Sequence, residues 1–148
     1  MINEQSSISF ICLANFCRSP VAKVLLQNKF KNSLIVDSAG INPIISAGMD
    51  LRSVNYLNEN KCSYEIHNPK RIDKGFLNSS DIIFAMDTNV LMYLNKNYKK
   101  YRNKFKLFTY QHRNIQIKDP YKLSEEKYKK VMDDIKFVID CFKLEDLV

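Results

Sequence analysis

The amino-acid sequence predicts a single-domain α/β protein with a four-stranded, twisted parallel sheet and helices on both faces. Short apolar runs alternate with segments of helical periodicity, and these runs are continuously apolar, as in strands that are buried on both faces. The 148 residues suffice for one hydrophobic core. Since no repeat or linker interrupts the alternation, we expect one domain over residues 1–148.

Four apolar runs predict the strands, at residues 7–13, 33–40, 81–87 and 104–110. Apolar residues recur at helical spacing in residues 20–31, 49–59, 88–96 and 125–142. Ser19 can cap the first helix, with Pro20 at its first position, where a missing N–H costs nothing. The last helix has two glutamates in its first turn, which suits the helix dipole.

Composition excludes a transmembrane helix and favours an anionic partner. No apolar run approaches ~18 residues, and the N-terminal stretch lacks the pattern of a signal peptide, so we expect a cytoplasmic protein without membrane insertion. The formal net charge is +7, much of it in residues 96–106, where basic and aromatic residues alternate. We interpret this segment as a solvated face whose aromatic side chains enter the core, and not as a nucleic-acid surface.

The cysteine and histidine spacing predicts neither a disulfide framework nor a metal site. The four cysteines form no C-x-x-C pair, and only two histidines are present. We expect Cys62 and Cys141 to be small buried apolar side chains. No cofactor or metal is predicted.

The segment FICLANFCRSPVAK, residues 10–23, combines a thiol, a cation and a helix start. A loop after the first strand would let backbone N–H groups converge with the helix N-terminus around a tetrahedral dianion. The loop residues are Leu13, Ala14, Asn15, Phe16 and Cys17. Arg18 adds a planar fork for two phosphate oxygens. Because such a field lowers the pKa of a cysteine, we expect Cys12 to be a thiolate nucleophile, with Ser19 donating its hydroxyl to the sulfur.

Transfer of a phosphoryl group to sulfur also requires an acid for the departing oxygen. Asp119 follows the fourth predicted strand, on a loop stiffened by Pro120, at the edge of the sheet where ligands bind. We predict Asp119 as this acid and Tyr121 as a side chain of the cleft wall.

These residues resemble the low-molecular-weight protein tyrosine phosphatases over nearly the whole chain. ICLANFCRSP is similar to the signature loop of that family, VDSAG to its second-strand motif, AMDTN to its third-strand end and DPY to its acid loop. The resemblance implies a metal-free, two-step hydrolysis of phosphotyrosine through a phosphocysteine. Cys12 would be the nucleophile and Arg18 would bind the phosphate, while Asp119 would act first as acid and then as base.

The resemblance also implies supporting roles. Asn15, Ser19 and Ser38 match positions that hold the loop in shape by hydrogen bonds, and His67 lies roughly where a family histidine joins that network. Cys17 matches a second loop cysteine, which either protects Cys12 by forming a disulfide or only packs.

Two departures from the family pattern affect the loop and the cleft. Ala14 stands where many members have glycine, so the loop must keep ordinary backbone angles there. Residues 41–48 contain no aromatic side chain, and Ile44 or Ile45 is expected to form the wall against the substrate ring. These features are similar to bacterial members that act on autophosphorylating tyrosine kinases controlling exopolysaccharide export. The expected partner is a phosphotyrosine-bearing protein of that kind, bound by a monomer.

Two other functions are compatible with parts of the pattern. An arsenate reductase on the same fold needs further cysteines after the third strand, but residues 81–140 contain none. A non-enzymatic phosphate- or phosphotyrosine-binding module would have little use for Asp119. A phosphatase is therefore the preferred hypothesis.

Overall fold

The computed structural model describes residues 5–45 and 48–148 and contains a four-stranded parallel sheet. The strands are β1 (Ser6–Cys12), β2 (Leu34–Gly40), β3 (Ile82–Ala85) and β4 (Phe105–Leu107), in the order β2-β1-β3-β4. All pairings are parallel, which confirms the predicted sheet. Residues 1–4 of the N-terminal stretch and residues 46–47 of the expected wall segment lie outside the described residues.

The α-helices of the described chain cover both faces of this sheet, as predicted. They are α1 (Ser19–Phe30), α2 (Leu51–Glu59), α3 (Lys74–Ser79), α4 (Thr88–Asn97) and α5 (Glu125–Cys141). Helices α1, α2 and α5 share one hydrophobic core, and α3 and α4 share the other. The two cores lie on opposite faces because alternate residues of a strand point in opposite directions.

Strand β1 contributes to both cores. Ile8 and Phe10 belong to the core under α1 and α5, whereas Ile11 belongs to the core under α3 and α4. Phe10 stacks on Phe84 of β3 with ring centroids 5.6 Å apart. Burial of such side chains contributes about 1.5–3 kcal/mol each, so β1 is held firmly and its carboxyl end is a rigid support for the loop that follows.

The basic segment 96–106 follows the interpretation made from its sequence. Tyr101 and Phe105 are buried in the core of α3 and α4. Lys99, Lys100 and Arg102 are exposed to solvent. The aromatic side chains therefore serve packing, and the charges form a solvated face.

The structure differs from the sequence predictions of local structure at one helix, one strand and two cysteines. The short helix α3 was missed, since its six residues show little periodicity; Asp73 caps it by accepting from the amide of Phe76. The strand predicted over 104–110 is only the three residues of β4, because a 3₁₀ helix precedes it and the chain turns at Tyr110. Cys141 is exposed rather than buried, and Cys62 is only partly buried.

Ser19 is not the helix cap that its sequence context suggested. Helix α1 begins at Ser19, and Arg18 occupies the cap position without a side-chain cap hydrogen bond. The Ser19 hydroxyl lies 2.9 Å from the Cys12 sulfur instead. The interaction with the thiol, which the sequence also predicted, thus takes precedence over capping.

Lys29 at the end of α1 caps the C-terminus of α5. Its Nζ donates to the carbonyl oxygens of Ile139, Asp140 and Phe142, at 3.1, 2.7 and 2.6 Å. We expect Lys29→Met to lower the free energy of unfolding by about 1 kcal/mol, because these carbonyls lose their donor and the helix dipole its cation. Denaturant unfolding measures this. Lys129→Met, an exposed lysine within α5, is the control, and an equal loss there would refute a specific cap.

Candidate active site

The loop from Cys12 to Arg18 turns its carbonyl oxygens outward into the protein. The carbonyls of Cys12, Leu13 and Ala14 accept from the backbone amides of Ile41, Asn42 and Ile44, in that order. The carbonyl of Asn15 accepts from the His67 ring, that of Phe16 from the Asp50 amide, and that of Cys17 from the Ser53 hydroxyl. A trans peptide holds each C=O opposite to the following N–H. The amides of residues 13–18 therefore point to the inside of the loop.

Most of these inward amides have no protein partner. The amide of Asn15 donates to the Cys12 sulfur at 3.2 Å, which marks the direction in which the set points. Within residues 5–45 and 48–148, the other five find no acceptor, namely those of Leu13, Ala14, Phe16, Cys17 and Arg18. Convergent free amides at a helix N-terminus form an anion-binding nest.

Cys12 lies at the bottom of this nest, at the end of β1, and is 2% exposed. The Ser19 hydroxyl accepts from Asn15 Nδ2 at 2.8 Å, so its own proton is available to the Cys12 sulfur. With the Asn15 amide, the sulfur therefore has two donors. Hydrogen bonds of this kind stabilise the anionic form of a thiol.

Asn15 is the residue on which the loop shape depends. Its φ is 51°, in the left-handed region that asparagine tolerates better than most residues. Its Oδ1 accepts from the Lys70 amide at 3.0 Å, and its Nδ2 donates to Ser38 at 3.0 Å as well as to Ser19. Since Asn15 takes the left-handed angle and Ala14 does not, the alanine in place of glycine keeps ordinary backbone angles.

Gly40, at the end of β2, lets the loop approach the sheet. A Cβ atom at this position would lie 2.9 Å from the Asn15 nitrogen and 2.9 Å from the Leu13 oxygen. Real side chains essentially never come so close to backbone atoms, so only glycine fits without displacing the loop. The VDSAG motif thus supplies both a hydrogen-bond partner, Ser38, and the space for Asn15.

Arg18 is held by a carboxylate that sequence reasoning did not assign. Its Nη1 donates to Asp87 Oδ2 at 2.6 Å and to the carbonyl of Ile117 at 2.8 Å. Burial would lower the pKa of Arg18, but its interactions with the Cys12 sulfur and the Asp87 carboxylate outweigh this and raise the pKa. Asp87 also caps α4, with Oδ1 accepting from the Val90 amide at 2.8 Å. An aspartate directly after a buried strand and before a helix was the signal available in AMDTN.

The residues predicted for catalysis surround one cleft of about 240 Å³. Cys12, Arg18 and Asp119 all line it, with the predicted contacts Leu13, Ala14, Phe16, Cys17, Ile44 and Tyr121 and one residue not predicted, Asn42. Asn15 and Ser19 do not line the cleft, because both are fully buried beneath the loop. Ser38 and His67 also lie behind it, hydrogen-bonded to Asn15.

Two aromatic side chains stand at the rim of this cleft. The rings of Phe16 and Tyr121 have centroids 6.0 Å apart, and Tyr121 is 51% exposed. Of the two isoleucines considered for the wall, Ile44 lines the cleft and Ile45 does not. The cleft is therefore a polar nest with an apolar, partly aromatic entrance.

The loop that carries Asp119 is tied to the anion-binding nest through Arg52, which the sequence did not single out. Arg52 donates to the carbonyls of Tyr121 at 2.9 Å and Leu123 at 3.1 Å. It also pairs with Asp50 at 2.9 Å. Burial would raise the pKa of Asp50, but the hydrogen bonds from Arg52 lower it overall.

Cys17 is a buried thiol that lines the cleft. It is 6% exposed, and its sulfur donates to Asp50 Oδ2 at 3.8 Å. Burial raises the pKa of the Cys17 thiol to about 12. Cys17 is therefore protonated at neutral pH, unlike the thiolate expected for the nucleophile.

Two kinds of feature are not found in the part of the chain that the structure describes. No group of three or more histidine, cysteine, aspartate or glutamate side chains is arranged to hold a metal ion there. No helix among residues 5–45 and 48–148 has the length and apolar character needed to span a bilayer.

This geometry defines the class of protein: an α/β protein whose parallel sheet carries an anion-binding loop at the carboxyl ends of its strands. Residues 7–144 match the family described as low molecular weight phosphotyrosine protein phosphatase. The chain is 30% identical over 123 residues to the low molecular weight protein-tyrosine-phosphatase Wzb of Escherichia coli (strain K12), covering 83% of each protein. The chain belongs to the low molecular weight phosphotyrosine protein phosphatase family.

Solved structures share the whole fold. Vibrio vulnificus Wzb in complex with benzylphosphonate has a TM-score of 0.84 and 25% identity, covering 93% of this chain and 96% of that one. The YwlE arginine phosphatase from Geobacillus stearothermophilus has a TM-score of 0.83 and 23% identity, covering 91% and 88%. At that identity the second likeness concerns the fold alone.

His67 should make the stability of the loop depend on pH. Its Nε2 donates to the Asn15 carbonyl at 2.7 Å, and burial lowers its pKa below the ordinary value of 6.5. The unfolded chain therefore takes up the proton first, so stability is full above about pH 6.5 and falls as the pH drops towards the lower folded pKa.

We expect His67→Gln to remove this part of the pH dependence. Denaturant unfolding between pH 5 and 8 measures it, with His112→Gln separating the contribution of the other histidine. If the free energy of unfolding of His67→Gln depends on pH as steeply as that of the wild type, the assignment to His67 is contradicted.

Proposed function

We propose that this protein hydrolyses phosphotyrosine in proteins through a covalent phosphocysteine on Cys12. The supporting observation is the ring of inward amides around the Cys12 sulfur, closed by Arg18. A phosphate dianion in this nest is held by backbone donors and the guanidinium, with its phosphorus facing the sulfur. One set of donors thus binds the phosphate and stabilises charge on its oxygens as the reaction proceeds.

In the first step the Cys12 thiolate attacks phosphorus, the S–P bond forms and the bond from phosphorus to the tyrosine oxygen breaks. Asp119, protonated, gives its proton to the departing phenolate, which leaves as neutral tyrosine. Asp119 lines the same cleft and is exposed, so it can reach a leaving group that points to solvent. Arg18, held by Asp87, stabilises the negative charge on the oxygens of the transferred group.

In the second step Asp119, now a carboxylate, takes a proton from water, and the water oxygen attacks the phosphorus of the phosphocysteine. The S–P bond breaks and the Cys12 thiolate leaves, stabilised by the Ser19 hydroxyl at 2.9 Å. Inorganic phosphate is released, and Asp119 has recovered its proton. Every proton and electron pair in this cycle is supplied by the chain and water.

The entrance of the cleft supports an aryl substrate. Phe16, Ile44 and Tyr121 offer apolar contact to a phenyl ring above the nest. Because the fold is shared with an arginine phosphatase, a phosphoarginine side chain is the comparison against which phosphotyrosine is tested. Its guanidinium would find one carboxylate among the residues lining the cleft, Asp119, which is already assigned to proton transfer.

The proposal for the partner rests on the relatives and on the net charge. We propose that the substrate is a phosphotyrosine-bearing protein, such as an autophosphorylating tyrosine kinase, and that the protein acts as a cytoplasmic monomer. The similarity to Wzb proteins supports the protein substrate, and the net charge of +7 suits a phosphorylated, anionic partner.

A protective disulfide between Cys12 and Cys17 would require Cys12 to be oxidised first. Its raised pKa keeps it a thiol, so we propose that an oxidant such as a peroxide reacts first with Cys12 to give a sulfenic acid. As the Cys17 thiol loses its proton, its sulfur would attack the sulfenic sulfur of Cys12; the S–S bond forms, the S–O bond breaks, and the hydroxyl group leaves with that proton as water.

The proposed function predicts metal-independent hydrolysis of an aryl phosphate in the presence of chelator. We expect Cys12→Ser to abolish turnover and Asp119→Asn to lower kcat by about 100- to 1000-fold, because the phenolate then leaves unprotonated. Cys141→Ser, an exposed cysteine outside the cleft, is the control.

Initial rates of phosphate release from matched phosphotyrosine and phosphoarginine peptides measure the substrate class. Residual activity of Cys12→Ser would remove the nucleophile from the mechanism. A higher kcat/KM for phosphoarginine would replace the phosphotyrosine proposal.

Asp87 is proposed as a positioning residue for Arg18. Asp87→Asn keeps the cap of α4, because asparagine caps helices as well as aspartate, but weakens the ion pair. We expect kcat/KM for an aryl phosphate to fall on the order of 10- to 100-fold through misplacement of Arg18. Asp73→Asn, the equivalent cap of α3, is the matched control. If kcat/KM falls equally in Asp87→Asn and Asp73→Asn, the effect is due to helix capping and not to the position of Arg18.

A further inference from the structure

A second, larger cavity adjoins the catalytic cleft. Its volume is about 710 Å³, and it lies between the start of α4 and the segment that leads to Asp119. Asp119 lines both cavities. Asp87 and Ile117, which accept the hydrogen bonds of Arg18, also line this second cavity. A ligand in the second cavity would therefore lie next to the phosphate site.

The charges of this cavity favour an anion. Arg113 and Lys118 line it, are exposed, and form no ion pair within the described residues. Of the two acids in its lining, Asp87 is paired with Arg18. Asp119 must be protonated for the first chemical step proposed above. The cations therefore outnumber the free negative charges when substrate binds.

The remaining wall combines apolar surface with polar side chains, among them Thr88, Asn89, Thr109 and Gln116. Leu107, Tyr110 and Ile115 supply apolar surface. Thr109 is 3% exposed and lines the cavity, yet its hydroxyl has no hydrogen-bond partner in the part of the chain that is described. Because every buried polar side-chain atom of the described residues has a partner, this hydroxyl must be open to solvent in the cavity, where it can donate to an occupant. The cavity thus fits a group with an apolar stem or ring and an anionic end.

We propose that this cavity is a subsite for an anionic side chain of the substrate protein, close in sequence to the phosphotyrosine. This inference rests on the proposed function. Side chains one or two residues apart in an extended chain are separated by about 3–7 Å along the strand, and the two cavities meet at Asp119. A glutamate, an aspartate or a second phosphotyrosine supplies the required chemistry. The subsite would select acidic sequences without contacting the reacting phosphate.

The test compares kcat/KM for three peptides, each containing one phosphotyrosine. One has glutamines at the two positions on either side, one has glutamates there, and one carries a non-hydrolysable phosphonate analogue of phosphotyrosine two residues away. We expect wild-type protein to prefer the anionic peptides by roughly five- to tenfold at moderate salt, as two rim cations allow. The glutamate and phosphonate arms distinguish a carboxylate from an aryl phosphate as the preferred group.

Two charge-matched variants distinguish a subsite from general attraction. Arg113→Gln with Lys118→Gln is expected to reduce the ratio of anionic to neutral kcat/KM to about one. Lys99→Gln with Lys100→Gln removes the same charge from the solvated basic face and should keep the ratio. An equal fall in both variants, or a wild-type ratio near one, would overturn the subsite. Failure of the wild type to hydrolyse even the neutral phosphotyrosine peptide would instead refute the proposed function.

Discussion

The arrangement of the candidate site depends on a single asparagine held in a left-handed conformation. At a φ of 51°, Asn15 reverses the loop so that its amide reaches the Cys12 sulfur. The hydroxyls of Ser19 and Ser38 accept from its side-chain amide, and its carbonyl accepts from His67. These contacts come from α1, β2 and the segment before α3, so the loop is fixed by three separate parts of the fold. Without them the inward amides would lose their common direction.

The same principle of outside support applies to the charged groups. Arg18 is buried, and both of its hydrogen-bond acceptors, Asp87 and the Ile117 carbonyl, lie far from it in sequence. The loop carrying Asp119 is held in turn by Arg52, whose partner Asp50 donates its amide to the Phe16 carbonyl. Groups that are set before substrate arrives need no reorganisation during the reaction. The proposed acid, cation and nucleophile therefore share one framework.

The cleft itself is small and open, and this shapes what it can discriminate. In the proposed function, its floor binds a phosphate through backbone donors that any phosphoryl group could use. Selection among substrates is then proposed to come from the rim, where Phe16, Ile44 and Tyr121 offer apolar contact, and from the neighbouring cavity with Arg113 and Lys118. The chemical step and the choice of substrate are assigned to different residues.

Local patterns in the sequence determined the class of fold and the chemical groups. Apolar runs of strand length, a Ser-Pro helix start and a cysteine six residues before an arginine are all short-range features, so β1, α1 and the loop between them were predictable. Asp119 was also predictable, because its residue type and its place after the last strand are visible in the chain. Helix α3 was missed because its six residues show little hydrophobic periodicity. Strand β4 was predicted too long because its end is set by packing and by the turn that follows.

Only the tertiary structure decided which distant residues serve the site. Asp87 and Arg52 approach their partners across 69 residues each. The AMDTN context indicates that Asp87 lies between a strand and a helix, but the immediate sequence of neither residue specifies its partner. Ser19 appeared to be a helix cap until the fold brought Asn15 Nδ2 to its oxygen and left its proton for the sulfur. The requirement for glycine at position 40 likewise arises from the approach of a loop 25 residues earlier. Residue types are local information, whereas long-range hydrogen bonds and close backbone contacts exist only once the chain has folded.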